Sequence, residues 1–393
     1  MLNIINNAKR LGFSVNSVVI TLYKNQPSVD KFIKRLERQN IKTYIHTYTK
    51  GYPTDVETIV SEEGYGANPY IETTKKLVLV NAPGPGSGKL ATCLSQLYHE
   101  HKRGINAGYA KFETFPVWNL PLKHPVNIAY EAATADLKDI NMIDPFHLEK
   151  YNINAVNYNR DVETFPILKN ILHHITGKDI YFSPTDMGVN MVGYCIKNND
   201  IVENAAKKEV VRRYFNELCN YKQGISDFDT VQKIKLLMNE LNIDENFLKV
   251  VEVSKKASEK KKTNVIALEL PKGKIITGKQ TDLLSPASSV IINAIKELSK
   301  IPDEINLLSP TILEPILKLR KNNNTLSLQE VLIALAVCSV TNPSIASALE
   351  KLEVLKDCEA HATYIVTNGD LKALKSLKIN LTCEPNFYSK EIM

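Results

Sequence analysis

The segment NAPGPGSGK at residues 81–89 constrains this chain more than any other. It follows an apolar run, KLVLV at 76–80, and precedes LATCLSQLYHEHK at 90–102, where apolar residues recur at helical spacing. Gly84, Gly86 and Gly88 let the backbone turn tightly and come close to a ligand. The N–H groups at the start of the following helix, with its positive dipole end, favour an anion, and Lys89 adds a point charge. This is the logic of a P-loop, but the Walker pattern needs a glycine where Pro83 stands and a hydroxyl residue where Leu90 stands. Thr92 is the next hydroxyl in the helix. Gly84, Gly86, Ser87, Gly88, Lys89 and Thr92 are therefore the candidate phosphate-binding residues, and a nucleotide with Mg²⁺ is one ligand of that class. The competing reading is a tight strand-to-helix turn with an exposed lysine.

Residues 2–11 have helical spacing, 17–22 (SVVITL) read as a buried strand, 30–39 as an amphipathic helix and 41–48 as an alternating strand. Two further apolar stretches, 56–60 and 75–80, lead to the glycine loop. Strand and helix alternating in this order predict a parallel sheet with covering helices, an α/β domain of Rossmann-like or P-loop-like type. A chain that opens directly on a helix suggests an opening strand is missing. Residues 109–195 mix prolines and polar residues with persistent apolar ones, the texture of loops packed on a rigid scaffold. Helical spacing then dominates 201–221, 227–241 and 245–253, and KKASEKKK at 255–262 reads as a solvated, flexible junction. From residue 264, VIALEL, Pro271-Lys272-Gly273 and KIIT predict a hairpin. Helices are predicted at 288–300, 311–319, 327–340 and 344–355, before a closing strand, helix and strand (HATYIVT, LKALKSL, INLTC). The organisation is thus 1–180, an α/β domain with the glycine loop; 181–262, a helical region; and 263–393, a C-terminal α/β subdomain.

A length of 393 residues suits two or three domains. Lys and Arg total 49 against 43 Asp and Glu, a net charge of +6 with no dense arginine cluster, which argues against a nucleic-acid partner. The six cysteines form no CxxC pair, so a reducing cytoplasm fits better than a disulfide framework. The N-terminus lacks the apolar core of a signal peptide, and the longest apolar run, 331–340, is about half of a membrane span, so no membrane partner is expected. Homo-oligomerisation through helices is the expected assembly.

Several groups invite chemical readings. His99-Glu100-His101 resembles part of a zincin motif, but Arg103 occupies the second-histidine position, and residues two apart on a helix point in different directions. Cys358, His361 and the distant Cys383 could make a three-ligand zinc site; a buried thiol and a satisfied histidine are the plainer alternative. No GxSxG elbow signals a serine nucleophile. His124 precedes a helix carrying Asn127, Glu131 and Thr134 at i, i+4 and i+7. Lys111, Glu113, Asp144, His147, Asn159, Arg160, Asp161, Asp186 and Asn190 crowd the neighbouring segments. Carboxylates, histidine and arginine together suit acid–base work with an anion clamp. The candidate catalytic residues are therefore His124, Glu131, Asp144 and His147, with Lys111, Asn127, Asn159, Arg160, Asp186 and Asn190 as substrate contacts. Asn159, Asp161 and Asp186 are equally placed to cap helices.

EGYGANPYIETT, NAPGPGSGKLATCLSQLYHEHKRG, GYAKFETFPVWNLPLKHPVNIAYEAATADL, MIDPFHLE, VNYNRDVE and SPTDMGVNM together resemble the bacterial domain-of-unknown-function 1846 family, also called uncharacterised protein family 0371. The resemblance runs from about residue 18 to 213 and returns at CEAHAT and INLTCEP. It implies an α/β part, a helical part and a C-terminal α/β subdomain of three-layer type. It also implies an opening segment ahead of the position matching Met1. Some members carry labels as ATP-dependent zinc proteases, which the imperfect P-loop and missing HExxH do not support in this chain. Three functions follow in order: an enzyme acting on a nucleotide or other phosphorylated small molecule, a non-catalytic metabolite-binding or assembly protein, and a metal-dependent hydrolase.

Overall fold

The computed structural model describes residues 1–84, 86–111, 116–188, 190–319 and 325–388. Pro85 and Glu113, named above, lie outside them. The chain forms two compact units, the first made of Met1–Leu122 and Ile140–Cys195, the second of Lys123–Asp139 and Ile196–Met393. Along the chain the first elements are α1 (Leu2–Arg10), β1 (Ser17–Thr21), α2 (Pro27–Glu37), β2 (Lys42–His46), α3 (Val56–Ile59) and α4 (Lys89–Lys102). Next come α5 (Pro125–Ala133), β3 (Asn141–Ile143), α6 (Pro145–Tyr151), β4 (Val156–Tyr158) and α7 (Asn159–Thr176). Then follow α8 (Asn199–Lys222), α9 (Phe228–Glu240), α10 (Lys249–Lys261), β5 (Val265–Glu269), β6 (Ile275–Lys279), α11 (Pro286–Leu298) and α12 (Pro310–Lys318). The last are α13 (Leu328–Ser339), α14 (Pro343–Glu350), β7 (Glu359–Ala362), α15 (Asn368–Ser376) and β8 (Asn380–Cys383).

In the first unit, β1, α2 and β2 make one β-α-β turn with parallel strands, Thr21 opposite His46 at their carboxyl ends. Ile5, Val18, Leu36 and Ile41 form its small core. A larger core gathers Leu94, Leu97 and Tyr98 of α4 with Phe165, Leu168, Ile171 and Leu172 of α7. The extended parallel sheet of a Rossmann-like or P-loop-like domain is not found among the described residues: β1 pairs β2, and β3 pairs β4 antiparallel. The apolar run at 76–80 forms no strand, and Leu77 stays 89% exposed. Apolarity alone does not make a strand; the backbone needs an adjoining ladder, and this segment has none. The architecture is mixed α/β with small sheets.

The second unit packs α5, α8, α9 and α10 around Val210, Phe215, Ile234, Met238 and Val251. Its sheet has the order β6-β5-β7-β8, antiparallel except for the β7–β8 pair. The predicted hairpin and the closing strand-helix-strand are both present as β5–β6 and β7-α15-β8. Both faces are covered: Ile266 and Leu268 of β5 join the core of α11 and α13, while Ala267 between them joins the core of α8–α10. KKASEKKK is helix rather than junction, because α10 runs through Lys261 with Val250, Val251 and Ser254 buried and a Lys256–Glu252 pair at i, i+4 outside.

Helix α11 lies so close to β6 that a Cβ on Gly278 would sit 2.1 Å from the Val290 backbone nitrogen. Backbone atoms cannot step aside as a side chain can. Gly278→Ala is expected to lose at least about 2 kcal/mol, read as a lower urea midpoint.

Candidate functional site

The glycine loop is built as a closed turn against the carboxyl end of β1. Gly86 and Gly88 have φ of +68° and +76°, the left-handed region that only glycine enters without strain. A Cβ on Gly88 would also lie 2.9 Å from the Thr21 Cγ2, and the Thr21 hydroxyl donates to the Ser87 carbonyl at 3.3 Å. Ser87 Oγ and Lys89 Nζ both donate to the Gly84 carbonyl, the lysine at 3.0 Å. Gly88 is the N-cap of α4 and has no side chain to cap it, and no acidic residue lies in the first turn. Among the described residues the fourteen-residue helix thus begins with amides that have no N-cap side chain or first-turn carboxylate, beside an ammonium group. Thr92 is buried in that first turn. His46, which shares Thr21's face of the strand pair, is 4% exposed, and its Nε2 meets no hydrogen-bond partner among the described residues. Burial, reinforced by nearby His99, pushes its pKa down to about 4.

A second polar group in the first unit centres on Asp144. Its carboxylate caps α6 by accepting from the N–H groups of Phe146 (3.0 Å) and His147 (3.1 Å). It also accepts from the Thr185 N–H at 3.2 Å and hydroxyl at 2.6 Å. His147 Nδ1 lies 3.0 Å from Ser183 Oγ and 3.6 Å from Asp186 Oδ1. Ser183 and Asp186 form a reciprocal capping box, and the Tyr151 hydroxyl donates to Asp186. Asp144, His147 and Asp186 are thus brought together, with Ser183, Thr185 and Tyr151 as partners that sequence reasoning passed over. The S-x-x-D spacing of SPTD carried the signal for Ser183. Asn159 Oδ1 accepts from the Ile140 N–H at 2.8 Å, Asp161 pairs with Lys111, Asn190 Oδ1 accepts from the Val192 N–H at 3.2 Å, and Arg160 is exposed.

His124, Asn127 and Glu131 belong to the second unit. His124 Nδ1 accepts from the Val126 N–H at 3.2 Å, which leaves the proton on Nε2, 3.0 Å from Asn199 Oδ1. Asn127 is fully buried, and Glu131 lies 3.7 Å from Lys233 Nζ. The zinc reading of His361 meets a different set of neighbours. His361 is opposite Thr382 in the β7–β8 register, so Cys383, one residue on, points to the other face. The ring is fully buried, with Nδ1 2.8 Å from Thr382 Oγ1 and Nε2 3.1 Å from Glu384 Oε1. Glu384 in turn pairs with Lys255 at 2.9 Å. Among the described residues no three His, Cys, Asp or Glu side chains are grouped to hold a metal ion. His99 and His101 meet separate backbone carbonyls, of Asn68 and Ala107. No described helix is long and apolar enough to cross a membrane.

Fold and site together define a mixed α/β protein with a glycine-rich loop closed at the start of a long helix. Residues 1–242 match the family described as Domain of unknown function DUF1846, N-terminal, and residues 246–393 match its C-terminal counterpart. The chain belongs to this DUF1846 family. It is similar to proteins named UPF0371 protein from Clostridium botulinum (strain Alaska E43 / Type E3), at 55% identity, and Clostridium tetani (strain Massachusetts / E88), at 53%. Each alignment spans 406 residues, all of this chain and 81% of the relative.

Two stability predictions follow from these contacts. Asp144→Ala removes four hydrogen bonds to a fully buried carboxylate and is expected to lose about 2–4 kcal/mol of stability, read as a lower denaturation midpoint. Burial holds the His361 pKa below its ordinary 6.5 despite the pull of Glu384. Burial works the other way on Glu384, but hydrogen bonds from His361 and Lys255 outweigh it and hold its pKa below 4.5. The unfolded chain therefore binds more protons at both sites on acidification, and stability falls as pH drops below about 6.5, then again below about 4.5. Melting temperature measured from pH 7 to pH 5 is expected to decline, and His361→Asn to melt lower at pH 7 with a flatter slope. A wild-type melting temperature that rises over this range contradicts the assignment.

Proposed function

We propose that residues 84–89 bind a phosphate group of a small molecule, and that the protein holds this ligand without transforming it. The observation that carries the reading is the loop itself, with two left-handed glycines, uncapped amides at the start of α4 and the Lys89 ammonium turned inward. Leu90 in place of a hydroxyl residue, with Thr92 buried, favours a phosphate held by amides and lysine over a Mg²⁺-bound nucleotide. Binding without turnover is favoured by how the candidate acid–base groups are engaged. Both His124 nitrogens and the Asp144 carboxylate have intramolecular partners, and Glu131 lies near Lys233, while His147 is engaged at Nδ1 and is the residue that a turnover test addresses. A general base needs a lone pair facing the substrate.

Thermal unfolding with pyrophosphate, sugar phosphates and nucleotides, with and without Mg²⁺, tests the reading. A ligand at about 100 times its Kd stabilises the native state by about 2.7 kcal/mol. A shift that needs no Mg²⁺ and is lost in Lys89→Ala is expected, with no phosphate release from the stabilising compound. Absence of any shift in folded protein overturns binding, and phosphate release that falls in His147→Ala overturns the non-catalytic reading.

A further inference from the structure

The net charge of +6 is unevenly held along the chain. Residues 1–42 contain eight Lys and Arg against two Asp and Glu, so this segment alone carries the whole excess and the rest of the chain is balanced. Of those eight cations only Lys42 meets a carboxylate, that of Glu72, among the described residues. Four of them sit on α2 and its C-cap. The helix turns Leu36 and Phe32 into the core shared with Ile5 and Val18. Lys31, Lys34, Arg35 and Arg38 are exposed, and at 3.6 residues per turn they fall within about 100° of arc on the opposite side. Asp30 is half-buried and accepts from the Tyr23 hydroxyl, and Glu37 lies to one side of the basic arc. A solvated helix face ordinarily places opposite charges at i, i+3 and i, i+4, whereas all four such pairs within this arc are like-charged and weaken the helix. The helix dipole accounts for cations in the last turn, but not for Lys31 in the first half or for exposed Lys24 ahead of the N-terminus.

We propose that this outer face of α2 binds the phosphate backbone of duplex nucleic acid without reading its sequence. The make-up of the face selects the occupant. A protein interface is depleted of charge at its centre, and a membrane-surface helix needs a free apolar side. Helix α2 offers neither: no exposed residue between 31 and 40 is apolar, and its apolar side is taken up by the core. Nucleic-acid surfaces are met instead by unpaired Lys and Arg, and each of Arg35 and Arg38 carries a fork that matches two phosphate oxygens. Eleven residues of helix span about 16 Å, the axial length of about five phosphates of one strand, with cations about 5 Å apart along it. The average over 393 residues hides this face, because the balanced remainder dilutes it. The inference uses no residue of the glycine loop.

Fluorescence anisotropy of a labelled DNA duplex of about 20 base pairs, from about 50 mM to about 200 mM salt, tests it. Wild type is expected to bind at micromolar concentrations at the lower salt, with log K falling against log salt at a slope of about −3.6 for four phosphate contacts. Arg35→Glu/Arg38→Glu is expected to bind at least about tenfold more weakly with an unchanged melting temperature. Arg35→Gln/Arg38→Gln serves if that variant does not fold, with a salt slope shallower by about two. Lys260→Glu/Lys261→Glu makes the same change in net charge on exposed residues of α10 and, like Lys89→Ala in the glycine loop, is expected to bind as wild type does. No binding at the lower salt, equal weakening by the α10 variant or by Lys89→Ala, or polyglutamate bound as tightly as the duplex would each overturn the proposal.

Discussion

The four-stranded sheet of the second unit has both faces under helices, and that burial governs the chemistry of every element touching it. Along β7 the alternation of side chains puts Ala360 and Ala362 into one core and Glu359 and His361 under α8 and α10. An ionisable group in such a position must find partners or lose its charge. Glu359 receives Arg212 from α8 at 2.7 Å, and His361 is clasped between Thr382 and Glu384 from the β8 end. Lys255 of α10 completes the chain through Glu384. Polar residues that look scattered in the sequence are thus one layer against the sheet, joined by these contacts.

Much of this unit was legible in advance. The VIALEL–PKG–KIIT pattern is local, as is the final strand-helix-strand, and both formed as read. Relations set by topology were not legible. His361 and Thr382 are 21 residues apart and meet only because β7 and β8 are parallel and in register. Proximity in composition suggested Cys383 as a neighbour, and the pleat turned it away. The lysines of KKASEKKK suggested a flexible junction, yet lysine is a good helix former and α10 needs only one apolar side.

The first unit shows the same division. The glycine loop was visible because left-handed backbone favours particular residues, and Asp186 was placed as a candidate helix cap, whereas its box partner Ser183 was passed over although the S-x-x-D spacing carried the signal. The strand expected at 76–80 was not realised, because its ladder depends on neighbours that periodicity cannot report. The crowd of polar residues between 111 and 190 was read as one constellation, and it resolves into distinct roles. Asp144 and the Ser183–Asp186 box tie down helix starts, while Lys111 and Asp161 form a separate ion pair.

The bond from Lys89 to the Gly84 carbonyl gives the loop an occupant of its own. On the proposed reading, an anion would compete with that carbonyl for the ammonium group, so the carbonyl acts as an internal rival and would lower apparent affinity for weak ligands. Anions carrying two negative charges draw the lysine away more strongly than singly charged ones. On the proposed phosphate-binding reading, such a loop would discriminate by charge before shape is consulted, favouring a phosphate monoester dianion over a diester or a carboxylate of similar size.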